Sequence, residues 1–244
     1  MKPYILLPLG LLLVTLFTSQ GAFAQSADGG GRFRAGLTFG AVATDIPGTD
    51  TRDKDSDFNK LGLSFGAIIN TRLSEKNTLQ LEINYVMKGA QQQPDSNNNG
   101  YFKMTLPYIE VPILMRHTLR MNIRRKPVDR LEIEYGFSGG RLFNPGFVDD
   151  SNYPQPITKN SLNYFDVSVL GGLSFNFTPN IYFTLRYSNS VIPVINRNSI
   201  DPAFVRYTWN NGNNQVVLFA VKYMFGKQRV IASTTTTNPN LPTE

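Results

Sequence analysis

The chain has 244 residues, with 24 Lys and Arg against 18 Asp and Glu, one His, no Cys, and an aromatic set that includes 17 Phe and 11 Tyr. Without Cys there is no disulfide framework, Cys-based zinc site, thiol nucleophile or lipoprotein-type anchor on an N-terminal Cys. Charged residues make up 17%, below the roughly 25% usual for soluble domains, and the basic excess is compatible with nucleic acid without arguing for it.

Residues 1–24 carry the pattern of a secretory signal peptide. Lys2 supplies a positive start, Ile5 to Phe17 an apolar stretch, and Ala22-Phe23-Ala24 an A-x-A cleavage site before Gln25. No later stretch reaches the roughly 18 continuous apolar residues of a spanning helix. An exported chain without cysteine must be held by packing or by a membrane.

From Arg32 onward, eight blocks alternate with period two, a strand signal and not a helical one. In the first, Phe33, Ala35, Leu37, Phe39 and Ala41 share a face opposite Arg34, Gly36, Thr38 and Gly40. The second sets Leu61, Leu63, Phe65, Ala67 and Ile69 against Gly62, Ser64, Gly66, Asn70 and Arg72. The third sets Leu79, Leu81, Ile83, Tyr85 and Met87 against Gln80, Glu82, Asn84 and Lys88. The fourth, 103–117, aligns Ile109, Val111, Ile113 and Met115 against Tyr108, Glu110 and Arg116, with Pro107 and Pro112 predicting a bulge or bend. The fifth opposes Leu131, Ile133, Tyr135 and Phe137 to Glu132, Glu134 and Gly136. The sixth opposes Phe165, Val167, Val169, Leu173, Phe175 and Phe177 to Asp166, Ser168, Gly172 and Ser174. The last two run Ile181, Phe183, Leu185, Tyr187 and then Val217, Phe219, Val221, Tyr223, Phe225; Arg186 and Lys222 lie on their other faces.

Such strands build either a soluble β-fold with the apolar face inside or a membrane barrel with that face in lipid. Connection lengths separate the two. Long segments (44–60, 89–102, 143–163, 192–214) alternate with short ones (73–77, 178–180), and only 118–129 breaks the rule. That asymmetry predicts an all-β, eight-stranded antiparallel transmembrane β-barrel with long extracellular loops and short periplasmic turns. Aromatics fall into two girdles, as they do at the two membrane interfaces. The barrel is expected over 25–226, in the outer membrane, followed by a disordered Thr- and Pro-containing tail over 227–244.

Eight strands enclose a lumen that side chains fill. The inward face would hold Arg34, Arg72, Lys88, Arg116, Arg186 and Lys222 against Glu82, Glu110, Glu132, Glu134 and Asp166, a near balance suited to a mutually paired network. Catalysis is not expected: the one imidazole, His117, sits at the periplasmic end of the fourth strand with no Ser or Asp recognisably beside it. Asp53-Lys-Asp55-Ser-Asp57 resembles the start of a calcium loop, but Phe58 and Ser64 stand where an EF-hand needs Gly and Glu. No metal, cofactor, small-molecule substrate or nucleic-acid partner is therefore predicted. Arg116, Arg120, Arg124, Arg125, Lys126 and Arg130 crowd the 118–129 link and its flanks, a candidate surface for docking a periplasmic partner or anionic lipid.

The stretch Tyr108-Ile109-Glu110-Val111-Pro112-Ile113-Leu114 resembles the Y-x-E-x-P-hydrophobic-L strand of PorT-type outer-membrane β-barrel proteins. The early Gly36 to Gly40 strand, Phe165-Asp166, the Gly171-Gly172 pair and the closing Val221 to Phe225 agree in order. The resemblance covers roughly residues 32–226. It implies an integral outer-membrane barrel and, for the family's namesake, a part in the type IX secretion system. That system exports proteases and other cargo bearing C-terminal signal domains, so other secretion-system proteins would be partners. The alternative is a generic structural or adhesive barrel acting through its extracellular loops.

Overall fold

Period-two alternation over eight segments becomes eight barrel strands, and exposure shows which face looks where. A computed structural model describes residues 33–47, 58–92, 101–123, 126–149, 159–196 and 212–226. The expected leader (1–24), the tail (227–244) and the Asp53 to Asp57 run lie outside them. The strands are β1 (Phe33–Asp45), β2 (Lys60–Arg72), β3 (Asn77–Gln92), β4 (Phe102–Ile123), β5 (Lys126–Leu142), β6 (Gly146–Asp149), β7 (Phe165–Thr178), β8 (Ile181–Ser190) and β9 (Gln215–Met224). Every pairing is antiparallel, and β1 pairs with both β2 and β9, so the sheet closes on itself.

The closed circuit is β1-β2-β3-β4-β5-β7-β8-β9, which makes eight wall strands. The short β6 follows a break at Asn144, whose φ is 47°, and pairs with the outer end of β4 from Phe102 to Thr105. Along β1, exposed and buried residues alternate without a break from Phe33 to Val42. Phe33 and Phe39 are 62% and 61% exposed while Arg34 is 5% exposed. This is the inverse of a soluble protein. Apolar side chains line the outside, polar ones the inside, and only lipid satisfies that arrangement.

The outer surface carries two aromatic bands. Near the periplasmic ends of the strands stand Phe33, Phe175, Phe177, Tyr223 and Phe225; toward the other rim stand Phe39, Tyr135, Phe137, Phe165 and Tyr187, all exposed. Phe65 and Tyr85 stack across β2 and β3 at 4.9 Å between centroids, adding a cross-strand contact to the lipid-facing wall.

Two expectations change. Pro107 and Pro112 introduce no bulge: β3 and β4 keep one register from Asn77–His117 to Gln92–Phe102, and the ladder merely skips the steps around Pro112. A proline there withdraws one donor without adding a residue. The second concerns the 118–129 link. It is not a loop, because β4 and β5 run on as a paired hairpin to Ile123 and Lys126, with a register shift between Leu119 and Met121. The periplasmic connections are then 73–76, 124–125 and 179–180, all short, and the apparent exception disappears.

Candidate functional site: the filled lumen and the periplasmic ribbon

The inward face of each strand supplies one or two charged groups, and closure brings them together across the lumen. Glu82 (β3), Glu134 (β5), Arg186 (β8) and Lys222 (β9) meet midway. Arg186 grips Glu82 with two parallel bonds, Nη1 to Oε2 at 2.9 Å and Nη2 to Oε1 at 2.8 Å, and turns Nε to Glu134 Oε1 at 2.6 Å. Lys222 Nζ lies 3.0 Å from Glu134 Oε2 and 3.4 Å from Glu82 Oε1. All four are at most 3% exposed. A bidentate guanidinium between two carboxylates, with a second cation closing the ring, offsets the desolvation of each charge.

Neutral groups extend this cluster toward the periplasm. Gln80 donates to Glu82 and accepts from Arg116 Nη1 at 2.8 Å, while Arg116 pairs with Glu132 and stacks over the Tyr182 ring at 4.7 Å. Asn84 donates to Glu82 at 2.7 Å and Ser174 to Glu134 at 3.1 Å. Glu82, Glu132 and Glu134 therefore face Arg116, Arg186 and Lys222, and the charges cancel.

Nearer the outer rim a second cluster forms around Lys88. Its ammonium contacts Glu110 and lies 2.8 Å from Asp166 Oδ2, and it sits over the Tyr108 ring at 5.1 Å. Asp166 also accepts from Ser190 and, at 3.2 Å, from Asn214 Nδ2. Gly140 makes room here: a Cβ at that position would stand 3.1 Å from Glu110 Cγ and 3.5 Å from the Tyr108 ring.

Above the second cluster the lumen is capped by apolar side chains. Ile46, Ala90, Met104, Leu106, Tyr108, Leu142, Leu162, Val194 and Ile195 form one buried group, with Phe147 against it. Two loop segments supply Leu162, Val194 and Ile195, and they are tied together by a Leu162–Ile195 bridge and by Asn163 N to Val194 O and Asn196 N to Ser161 O, both 2.8 Å. Sequence reasoning missed this cap because Ile46, Leu162, Val194 and Ile195 lie outside the alternating blocks. It also missed Lys60, fully buried at the start of β2 with no partner for its ammonium among the described residues.

Two residues expected in the lumen network lie apart from it. Arg72, half-buried at the end of β2, bonds to the carbonyls of Ser74 and Glu75 in the following turn. The last residue of a strand reaches the turn before it reaches the lumen. Arg34 is buried but meets no carboxylate among the described residues; its Nη2 donates to the carbonyls of Pro179, Met224 and Gly226 at 3.0–3.4 Å. It fastens the end of β9 to β1 and to the β7–β8 turn. His117 Nδ1 lies 2.7 Å from Asn77 Oδ1, across the β3–β4 pair.

Of the residues expected in the basic link, Arg116 turns into the lumen. Arg120 and Arg130 are exposed on the hairpin, Lys126 opens β5, and Arg124 and Arg125 lie outside the described residues. Among the described residues no three His, Asp or Glu side chains are grouped so as to hold a metal ion.

The family described as outer membrane protein beta-barrel domain matches residues 23–196. The chain belongs to that family. Members of this outer-membrane barrel family sit in lipid, as the inverted exposure pattern requires. Among solved structures, the chain is similar to Ail, the attachment invasion locus protein of Yersinia pestis, in complex with the heparin analogue sucrose octasulfate. That match has 10% identity and a TM-score of 0.42, covering 80% of this chain and 99% of that one. Neisserial surface protein A follows at 13% identity and TM-score 0.41, covering 81% and 100%. The N-terminal β-barrel domain of Pseudomonas aeruginosa OprF gives 9% and 0.35, covering 81% and 100%. No curated protein matches the chain.

Proposed function

We propose that this outer-membrane barrel is a non-enzymatic structural protein that works through its outward-facing loops, with the lumen serving as a rigid pillar. The carrying observation is the lumen itself. Salt-bridged side chains fill its middle and an apolar cap covers its outer end. A barrel so filled offers no wide conduit and leaves its surfaces to do the work. Replacing the 191–214 connection with a short turn tests this. Surface binding or envelope integrity should fall to the level of a gene deletion while the barrel still assembles; intact function with that loop removed would refute it.

A second reading assigns the chain to type IX secretion as a partner-docking subunit. It is favoured by the Tyr108 to Leu114 resemblance and by the basic hairpin (Arg120, Arg124, Arg125, Lys126, Arg130). Culture fluid from a deletion strain would then lack cargo carrying C-terminal signal domains. Unchanged export would remove this reading and leave the structural one standing.

A further inference from the structure

The β4–β5 hairpin leaves the barrel wall on the periplasmic side. The amide of Thr118 donates to Lys76 O at 2.8 Å, and beyond it β4 has no neighbour but β5 among the described residues. β5 in turn pairs with β7 only from Leu131, which stands opposite Phe175. The intervening ribbon, 119–123 with 126–130, extends about 15 Å at ~3.3 Å per residue.

Three features of this ribbon bear on what it meets. Arg120, Lys126 and Arg130 lie on its strands against the single acid Asp129, and Arg120 and Arg130 are exposed. Its register continues the lipid-facing row as far as Leu119, which pairs with Leu131 two positions on from the His117–Ile133 and Met115–Tyr135 steps; past a register shift, Met121 pairs with Val128. Its edges are ill suited to accept a further strand, because a register shift, Pro127 and the basic residues all interrupt them. A basic, partly apolar ribbon rooted in the aromatic girdle suits a charged lipid surface better than strand addition by a protein.

We propose that this ribbon docks on the anionic phospholipid headgroups of the periplasmic leaflet. Its apolar row continues the lipid contact of the wall, and Arg120, Lys126 and Arg130 meet lipid phosphate. The inference rests on the outer-membrane placement and is independent of the loop function and of the secretion reading.

The test places the full mature chain in nanodiscs of neutral phosphatidylcholine or of phosphatidylglycerol and follows amide exchange over 118–130. Exchange should slow in phosphatidylglycerol alone, and high salt should abolish the difference. Each basic residue near an anionic surface contributes roughly fivefold, so R120Q/K126Q/R130Q should lose up to about a hundredfold in protection. The two-lipid comparison with the unaltered chain needs no variant, so a folding failure of the triple substitution leaves the test intact. Equal exchange in the two lipids would overturn the proposal. So would protection that appears in phosphatidylcholine only when an acidic protein is added, which would assign the ribbon to protein docking.

Discussion

Replacing Arg186 with Leu removes the guanidinium that touches both Glu82 and Glu134. Three short bonds vanish, and two buried carboxylates are left to one ammonium, Lys222, which already stands 3.0 Å and 3.4 Å from them. Breaking a buried ion pair in this way costs about 3–5 kcal/mol, because the penalty is the uncompensated charge and not the lost contact alone. Lys222 stays in place and recovers part, so a loss of about 3 kcal/mol is expected. The decisive comparison is Arg186→Leu combined with Glu134→Gln. That pair restores neutrality with Glu82 facing Lys222, and the loss should shrink to about 1–2 kcal/mol, a coupling of the size seen between contacting groups. Urea unfolding in lipid vesicles, followed by circular dichroism, reads both through the midpoint at constant slope. A single substitution costing under about 1 kcal/mol, or a double variant no more stable than the single, would refute the charge-balance reasoning.

Three further outcomes follow from the geometry. Arg34→Gln removes charged donors from the carbonyls of Pro179, Met224 and Gly226; stability should fall by about 2 kcal/mol, with faster amide exchange at Met224 and Phe225. Lys60→Met replaces a buried ammonium that has no partner among the described residues with an apolar chain of similar length. The unfolding midpoint should rise, by about 1–3 kcal/mol of stability, and a fall would show that Lys60 is paired in the folded barrel. Gly89→Ala forces a side chain onto a backbone with φ of 134° and against the carbonyl of Met104. A loss of about 2 kcal/mol or more is expected in the same unfolding assay, and a neutral effect would mean that β3 relaxes there.

The wall of the barrel was legible because membrane strands must alternate, and Phe33 to Val42 or Leu61 to Phe65 leave no ambiguity about which residues share a face. The inward acids and bases followed from the same parity, since Glu82, Glu134, Arg186 and Lys222 all sit on polar steps. The hairpin was hidden for a physical reason. Between Leu119 and Met121 one strand gains a residue on the other, so a pattern read along β5 falls out of step just where Arg120, Pro127 and Asp129 also mask the apolar row. Lys60 fell at the end of the 44–60 connection, although strand pairing opposite Thr44 carries it inside. Leu162, Val194 and Ile195 escaped because an apolar cap assembled from loops has no period to detect. Arg72 shares the parity of the lumen, but at a strand end the nearest acceptors are the carbonyls of the turn.

The mid-lumen quartet has a consequence for how the protein is made. Glu82 and Arg186 are 104 residues apart in the chain, and Lys222 and Glu134 are 88 apart. Their four strands stand around the circumference, so no early hairpin can neutralise the charges of the quartet. A sheet that enters the bilayer before β9 reaches β1 would hold ions toward hydrocarbon without their counterparts. Half-assembled species are thereby penalised, and insertion and circularisation are coupled into one cooperative event. The final strand brings Lys222 and completes the charge balance around Glu82 and Glu134.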